Sequence, residues 1–460
     1  MAESSVAYQI TVDGTTLAVE GIRGYFQSKR AGLDAHLATR LATFLDDAHG
    51  SIDCAIYDLR HPLILDALAR AVARKVRVHI AFDAGKEHVG GLSADPKPDG
   101  TEVALAHAGL LPYATPVHEH GRHLMHDKFV LRDGRDVWVG SANFTTGGLE
   151  LQDNTCLTIS SRELVARFAE TFAQLTRPHH RHTRSTASLA TVEGSSVVVG
   201  STSVLPLFEP EAAEAIEQEL ASAIRGARKI RLMAFLLSDP GILQALAPFA
   251  QQPDFDIRGV YDPHGMEDVL RYTRQDQALF WFMRDPRFVA APSHAFSPAR
   301  EQDFMHNKTL VLDDQLVFTG SYNFSENAEA NDETLLKIAS EPIAAAYSHY
   351  CDVLFAAYGG AIALPQRGKA PSDAPRRRII TAPPISTVTP GLIPVVRPAA
   401  QPATQPPVRS AARSVPAHAE MPGSYSTRTL DILVFVVFAL IVAVLVALMV
   451  FLLISGIVRV

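Results

Sequence analysis

Cysteine and lysine are both scarce in this sequence. Its 460 residues include only three cysteines, which lie far apart and not at the spacing of a zinc site. They therefore give no support for a metal-binding ribbon or for a disulfide framework in an oxidising compartment. The N-terminal residues also lack a basic start followed by an apolar run, so we expect no secretory signal peptide.

Charge is absent from one long stretch near the C-terminus. Residues 432–458 contain no charged side chain and consist almost entirely of Val, Leu, Ile, Phe and Ala. About 20 apolar residues suffice to cross a bilayer, so we predict a single transmembrane helix over residues 430–458. Arginines precede this segment, and the positive-inside tendency predicts a tail-anchored membrane protein whose folded body faces the cytoplasm.

Large apolar residues are sparse between the body and this segment. Residues 365–429 are rich in Pro, Ala and Arg, a composition that cannot bury enough surface to fold, so we predict a disordered linker. Residues 365–460 carry a net charge of +7, whereas residues 1–364 carry −14. The basic linker would be attracted to an anionic lipid surface, and the acidic body disfavours nonspecific binding to nucleic acid.

What the sequence does contain is an internal repeat. IDCAIYDLRHPLILDAL at 52–68 aligns without gaps with IRLMAFLLSDPGILQAL at 230–246, with seven identities in 17 positions. In both copies a strand-like apolar run precedes a proline that begins a helical pattern, and another apolar run follows. Alternating strands and helices predict an α/β fold made of two duplicated α-β-α halves, residues 1–180 and 190–362.

The repeat includes a polar motif with the same spacing in both halves. HDKFVLRDGRDVWVGSAN at 126–143 is matched by HNKTLVLDDQLVFTGSYN at 306–323. Each copy predicts a β-hairpin in which a histidine and a lysine share one strand face and a Gly-Ser-x-Asn turn returns beside them. The predicted catalytic and phosphate-binding side chains are His126, Lys128, Ser141, Asn143, His306, Lys308, Ser321 and Asn323.

These groups suit an anionic phosphate and offer little that would hold a cation. A neutral imidazole can attack phosphorus while a protonated one gives its proton to the leaving oxygen, and water then opens the phosphohistidine. Lysine in both motifs supports this chemistry, because the chain has 33 arginines and only 9 lysines, and a compact ammonium suits a point contact with phosphate. We predict no metal and no cofactor.

Three acidic residues near the motifs admit two interpretations. Asp133 and Asp313 are counted among the candidate catalytic residues, but an aspartate at a hairpin turn more often accepts hydrogen bonds from backbone amides. Glu333 corresponds to Asn154 of the first half and is a candidate for orienting a histidine through Nδ1, the alternative being an exposed strand residue. The histidine-rich stretch HEHGRH at 118–123 is interpreted as a polar loop.

The spacing HxKxxxxDxxxxxxGSxN, complete in both copies, resembles the HKD signature of the phospholipase D superfamily, including its nuclease-like branch. The resemblance covers residues 20–355 and leaves out the linker and the apolar segment. It implies a pseudo-twofold body with both motifs at one cleft, a phosphohistidine intermediate and no required metal. By analogy with two-motif members, His126 resembles the nucleophile and His306 the acid/base, although the sequence does not decide between them.

The superfamily includes phospholipases, phosphatidyl transferases such as cardiolipin synthases, and nucleases. The predicted anchor and basic linker favour a phospholipid substrate. The leading hypothesis is therefore a phospholipase D-type phosphodiesterase that hydrolyses glycerophospholipids. A membrane-tethered endonuclease, a phosphatidyl transferase and a noncatalytic membrane adaptor are the alternatives.

Overall fold

The structure, a computed structural model, describes residues 9–10, 14–86, 100–119, 123–177, 196–210, 212–297 and 299–360. The predicted linker and the predicted transmembrane helix lie outside these residues. In the ranges just given, no helix combines the length and the apolar character needed to cross a membrane.

The first half forms a mixed sheet with helices on both faces. Within the described residues its strands are β1 (Gln9–Ile10), β2 (Thr16–Val19), β3 (Ile22–Gln27), β4 (Ser51–Ile56), β5 (Arg77–Lys86), β6 (Ala114–Glu119), β7 (Lys128–Arg132), β8 (Asp136–Gly140) and β9 (Asn154–Ser160). They lie in the order β1-β2-β3-β9-β8-β7-β4-β5-β6, and only β4, β5 and β6 pair in parallel. The α-helices are α1 (Leu37–Asp46), α2 (Pro62–Ala73), α3 (Thr101–His107) and α4 (Arg162–Leu175).

The second half repeats this plan. Its strands in the described part of the chain are β10 (Val197–Val199), β11 (Thr202–Glu209), β12 (Lys229–Ala234), β13 (Asp256–Tyr261), β14 (Phe288–Ala290), β15 (Lys308–Leu312), β16 (Leu316–Gly320) and β17 (Glu333–Ala339). Their order is β10-β11-β17-β16-β15-β12-β13-β14, with β12, β13 and β14 parallel. The α-helices are α5 (Ala213–Gly226), α6 (Pro240–Leu246), α7 (Pro263–Tyr272) and α8 (Glu341–Ala357), and a short 3₁₀ turn spans Ala328–Ala330.

The strand-helix-strand units predicted from the repeat are present in both halves. Helix α2 begins at Pro62, and the ring of His61 caps it by accepting from the amide of Leu63. Helix α6 begins at Pro240, and the carboxylate of Asp239 caps it in the same way. A proline at the first helical position lacks an N–H that would be unsatisfied there, which explains why both helices begin at these residues.

The two halves share one apolar core. Helices α4 and α8 contribute Phe168 and Tyr347 to a cluster that also contains buried residues of both sheets, such as Phe26 and Val317. The rings of Phe26 and Tyr347 meet edge to face, with their centroids 5.0 Å apart. Burial of a side chain of this size stabilises the fold by about 1.5–3 kcal/mol, so the contact between the halves is part of the fold itself.

Candidate active site

Each motif histidine lies in an extended connection that touches the opposite half. Strand β7 begins at Lys128, so His126 precedes the strand by two residues, whereas the sequence predicted one continuous strand. The backbone N–H of His126 donates to the carbonyl of Asp332 (2.9 Å), and that of His306 donates to the carbonyl of Asp153 (3.0 Å). Both motifs are therefore held at the boundary between the halves.

The ring of His126 is oriented by a carboxylate from the second half. Its Nδ1 lies 2.7 Å from Oε1 of Glu333, and both side chains are buried. The other carboxylate oxygen accepts from Oγ of Ser321 (2.6 Å). Oε1 also accepts from Nδ2 of Asn331 (3.3 Å), so both oxygens of Glu333 act as acceptors. Nδ1 of His126 therefore carries the proton, and Nε2 keeps its lone pair. The predicted orienting residue Glu333 thus has the geometry for that role.

The ring of His306 is oriented by an amide from the first half. Its Nδ1 lies 3.2 Å from Oδ1 of Asn154. The same oxygen accepts from Oγ of Ser141 (2.7 Å), while Nδ2 of Asn154 donates to the carbonyl of Gly148 (2.9 Å). These bonds fix which end of the amide is the oxygen, so His306 also presents Nε2. The two imidazoles therefore differ in the residue that binds Nδ1, which is the acidic Glu333 for His126 and the neutral Asn154 for His306.

The two motif lysines are buried beside the histidines. Nζ of Lys128 donates to the carbonyl of its motif histidine (2.6 Å), and Nζ of Lys308 makes the matching bond (2.8 Å). Each ammonium also lies over an aromatic ring, Lys128 over Tyr57 at 5.3 Å and Lys308 over Phe235 at 5.2 Å from the centroids. Each half therefore fixes one ammonium group in the same position relative to its histidine.

Burial and mutual repulsion determine the charge of these groups. Burial lowers the pKa of Lys128 to about 8, and burial together with Lys128 lowers the pKa of Lys308 well below its usual value. Burial and both ammonium groups hold the pKa of His126 and of His306 well below the usual range, and His126 itself contributes to the shift of His306. Without substrate the imidazoles are thus close to each other and neutral at pH 7, and burial also raises the pKa of Glu333 to about 8. The charge of Lys128 in these surroundings favours an anion.

The motif serines do not have free hydroxyl groups. Oγ of Ser321 donates to Glu333 and accepts from the amide of Thr334 (2.9 Å). Oγ of Ser141 donates to Asn154 and accepts from the amide of Thr155 (3.1 Å). The sequence predicted these serines as phosphate ligands, whereas the structure engages them in holding the two residues that orient the histidines.

The motif asparagines have uncommitted polar groups. The side-chain oxygens of Asn143 and Asn323 are buried and have no hydrogen-bond partner in the described part of the chain. A buried amide without a partner costs free energy unless a ligand or water satisfies it. Their Nδ2 groups also make no hydrogen bond in this part of the chain and could donate to phosphoryl oxygens, so the phosphate-binding role of Asn143 and Asn323 stays a prediction.

Asp133 and Asp313 lie at the far ends of the motif strands from the histidines. Asp133 accepts from the backbone amides of residues 49–51 at 2.7–3.0 Å. Asp313 accepts from the amides of Arg228 and Lys229, both at 2.8 Å. Both aspartates have positive φ, 53° and 55°, as turn residues with short polar side chains can. The structure thus gives them the turn role and does not bring them to the imidazoles, which corrects their inclusion among the catalytic candidates.

Sequence reasoning missed two aspartates that support the histidines. Oδ2 of Asp83 accepts from the amide of Met125 (2.9 Å), and Oδ2 of Asp262 accepts from the amide of Met305 (3.1 Å). Each bond fixes the backbone immediately before a motif histidine. The sequence does contain a signal for these two residues, because the repeated strand segments VRVHIAFD and FDIRGVYD end in Asp83 and Asp262.

The assembled groups can carry out a two-step displacement at phosphorus. Two imidazoles with free Nε2 atoms, two ammonium groups and two uncommitted amides are collected where the halves meet. One ring can attack, the other can transfer a proton, and the ammonium groups can stabilise charge on the phosphoryl oxygens. Within the described ranges, the group of side chains that is close enough to hold a metal ion lies elsewhere, around Asp239.

A family model described as "Cardiolipin synthase, PLD-like domain" matches residues 41–176 and 216–354, more than half of the chain. The chain belongs to the phospholipase D-like family. Each matched segment of this phospholipase D-like protein contains one motif, so the predicted superfamily membership is confirmed for both halves. The match also shows that the repeat is a duplication of one phospholipase D-like unit.

Individual relatives of the phospholipase D-like chain differ in activity. A mitochondrial cardiolipin hydrolase from Chlamydomonas reinhardtii is 26% identical over 144 residues, which are 31% of this chain and 59% of that relative. A phosphatidylserine synthase from Haemophilus influenzae has the same fold over 76% of this chain and 88% of its own, with 13% identity and a TM-score of 0.50. Nuc from Salmonella typhimurium, a phospholipase D family member, covers 34% of this chain and 95% of its own, with 23% identity and a TM-score of 0.26.

Proposed function

We propose that this phospholipase D-like chain is a phosphodiesterase that hydrolyses glycerophospholipids through a phosphohistidine. The observation that carries the proposal is the pair of buried imidazoles, each held through Nδ1, with the buried amino groups of Lys128 and Lys308 bonded to the backbone of the same two histidines. A phosphodiester brings the negative charge that such a site lacks, and its charge increases during attack. Neutral substrates would leave the repulsion between the two lysines uncompensated.

The unequal partners of the histidines assign their roles. Attack on phosphorus places a positive charge on the ring of His126, and this charge favours the ionised form of Glu333, whose pKa burial raises to about 8. The negative charge of the bound phosphodiester raises the pKa of His306, which then takes a proton from solvent. The amide of Asn154 offers the protonated ring no negative charge, so His306 gives up this proton readily to the leaving oxygen. His306 then accepts a proton from the water that opens the phosphohistidine on His126.

The role assignment is tested with bis(4-nitrophenyl) phosphate, whose leaving group departs without a proton. His306→Ala should release about one nitrophenolate per protein molecule in a burst and then stop, because the phosphohistidine lacks its base. His126→Ala should give no burst. The reverse pattern would exchange the roles of the two histidines, and steady turnover in either variant would reject the mechanism. Melting curves of both variants serve as the control for folding.

Several features support a lipid substrate. A relative that matches 31% of this chain is named a mitochondrial cardiolipin hydrolase, and the described body is linked to an arginine-rich segment and an uncharged apolar stretch. The body itself carries a net charge of −14, which opposes the phosphate contacts on which nucleic-acid binding depends. Vesicles of cardiolipin, phosphatidylglycerol or phosphatidylcholine should therefore be cleaved faster than single-stranded DNA or RNA. Cleavage of nucleic acid alone would replace the lipid assignment with an endonuclease.

Transfer to an alcohol is the second candidate reaction, because the matching family model is described as a cardiolipin synthase. The same phosphohistidine serves both reactions, and they differ only in whether water or an alcohol opens it. Phosphatidylglycerol vesicles distinguish them. Hydrolysis predicts phosphatidic acid and free glycerol, whereas a transferase would join two phosphatidylglycerol molecules into cardiolipin and release one glycerol, a product that added glycerol should suppress.

We further propose that the chain is anchored in a membrane by residues 430–458, with the body on the cytoplasmic side. The uncharged stretch 432–458 and the arginines before it support this topology. In cells that express the full chain, the protein should stay in the membrane pellet after alkaline carbonate extraction, and added protease should degrade the body without opening the organelles. Release by carbonate would exclude an integral anchor.

A further inference from the structure

An acidic cluster lies outside the candidate active site, at the first turn of helix α6. Glu217 of helix α5, Asp239 at the start of helix α6 and Glu329 of the 3₁₀ turn each place a carboxylate oxygen within 4.8 Å of the others. Asp239 is fully buried and the other two are partly exposed. Three carboxylates this close repel one another strongly unless a cation lies between them.

Two buried polar atoms at the cluster have no partner in the described residues. Oδ1 of Asp239 accepts from the amide of Ile242, but Oδ2 accepts no hydrogen bond. The hydroxyl of Tyr322 is also buried without a partner, and it lies within electrostatic reach of Asp239 and Glu329. Unsatisfied polar atoms of this kind usually mark a water molecule or an ion.

The first half of the molecule provides an internal comparison. His61 corresponds to Asp239 in the repeat, and Glu150 corresponds to Glu329. Nδ1 of His61 accepts from the backbone as the helix cap, so Nε2 carries a proton and donates it to Glu150 at 3.0 Å. The second half has a carboxylate where the first has this donor. The second half therefore brings a carboxylate of Asp239, and not a neutral N–H donor, close to Glu329.

We propose that Glu217, Asp239 and Glu329 bind a calcium ion, with the hydroxyl of Tyr322 beside it. Calcium prefers carboxylate, hydroxyl and water oxygens at about 2.3–2.6 Å, and oxygens separated by 4.8 Å or less can share one such ion. Three carboxylates from three different elements form an irregular site, which the flexible coordination of calcium tolerates better than the octahedral demand of magnesium.

The ion would stabilise the segment that leads to the active site. The amide of Asp239 donates to the carbonyl of Phe324, the residue after the second motif (3.0 Å). Glu329 lies two residues before Asn331, whose side chain donates to Glu333 and accepts from the amide of Leu124. Calcium therefore connects helices α5 and α6 to this segment. The inference is independent of the proposed function, since the ion takes no part in the reaction at phosphorus.

The test compares the full chain in detergent, first freed of metal with a chelator, with and without calcium chloride. Saturating calcium should raise the Tm by about 2–5 °C, and titration calorimetry should show one site. Asp239→Asn keeps the oxygen that caps helix α6 but removes a charge, and Glu329→Gln removes another. Each should weaken calcium binding by at least about tenfold.

The order of the wild-type and Asp239→Asn melting temperatures should reverse when calcium is added. This reversal distinguishes ion binding from a general loss of stability. Without metal, Asp239→Asn should melt at or above the wild-type temperature, because it relieves repulsion, whereas with calcium it should melt below. Glu150→Gln, at the corresponding position of the first half, should leave the calcium response unchanged. The proposal fails if the wild-type chain shows no calcium-dependent Tm and no heat of binding, if both variants keep the wild-type response, or if magnesium binds as tightly as calcium.

Discussion

At the scale of single residues, the two halves of the site differ at the partner of the histidine. Glu333 and Asn154 occupy corresponding positions, and each has a serine from its own half bonded to its side-chain oxygen. The sequence alignment paired these two residues correctly. It did not show that each serves the histidine of the opposite half, because that contact joins positions 207 residues apart for one pair and 152 for the other.

Asn154→Asp should shift the alkaline limb of the kcat–pH profile to higher pH. Burial and the nearby ammonium groups lower the pKa of His306 in the wild type, and a carboxylate at Asn154 would raise it again. The leaving oxygen needs protonated His306, so kcat falls as the pH rises through the pKa of His306 in the enzyme–substrate complex, and a higher pKa shifts this fall to higher pH by about one unit. The measurement is kcat against pH with a phospholipid whose leaving group requires a proton.

Asn154→Ser is the matched variant for this experiment, since it removes the amide without adding charge. It should lower kcat and leave the alkaline side of the profile near its wild-type position. An Asn154→Asp profile identical to the wild type would show that His306 is not the proton donor.

At the scale of elements, each motif hairpin has a catalytic end and a structural end. The lysine and histidine lie at the start of strands β7 and β15, and Asp133 and Asp313 lie at the turns after them. The sequence predicted both hairpins, because glycine and aspartate between apolar runs favour a turn. The motif spacing alone did not show that the two ends of each strand have different roles. A strand of five residues rises about 3.3 Å per residue, so its ends lie more than 10 Å apart.

Asp133→Ala should destabilise the protein without impairing the reaction. The variant loses the bonds to three backbone amides and places alanine at a positive φ, which together cost about 1–3 kcal/mol of unfolding free energy. Urea unfolding measures this loss, and kcat under stable conditions should be unchanged. Lys128→Ala, in the same hairpin, should instead abolish most of the activity. A large fall in kcat for Asp133→Ala would restore its catalytic assignment.

Gly320→Ala should damage both stability and activity, because strand β16 approaches strand β17 closely at this residue. A Cβ there would lie 2.1 Å from the carbonyl oxygen of Thr334, so the strands would have to separate. Overpacking of this kind costs about 1–3 kcal/mol. The displaced strand β17 begins with Glu333, so His126 would lose its orientation as well.

The control is Gly226→Ala, whose added Cβ meets no atom within 4 Å. It should leave the unfolding free energy and kcat near the wild-type values. Equal behaviour of the two alanine variants in urea unfolding and turnover would contradict the close-packing argument.

At the scale of the whole molecule, one ion pair of the first half also makes hydrogen bonds to the second half. Nη2 of Arg30 lies 2.8 Å from Oδ2 of Asp153, and the hydroxyl of Tyr358 donates to the same oxygen (2.7 Å). The guanidinium also contacts the carbonyl of Asp303. Because the carbonyl of Asp153 holds the amide of His306, this pair supports the active site from the first half.

Arg30→Met should cost about 3 kcal/mol of unfolding free energy, because it leaves the carboxylate of Asp153 buried without its cation. Arg70→Met, which breaks the exposed pair with Asp46, is the matched control and should cost about 0–1 kcal/mol. Urea unfolding of both variants gives the comparison. Similar values for the two would show that the buried pair contributes no more than a surface pair.

The duplication and the α/β class were predictable at this scale, because the repeat and the strand and helix patterns are local features of the sequence. The shared core of helices α4 and α8 was not, since nothing in the apolar pattern of either helix specifies that both lie between the two sheets. The acidic cluster around Asp239 was missed for a similar reason. Its members are up to 112 residues apart, so no local spacing in the sequence identifies them as one site.

The exchange of partners between His126 and Glu333, and between His306 and Asn154, has an evolutionary consequence. After the ancestral gene doubled, a change at one histidine partner altered the chemistry of the ring encoded in the other copy. A functional change in one copy therefore depended on the sequence of the other copy. A single copy fused to another gene would contain a motif histidine without the residue that binds its Nδ1.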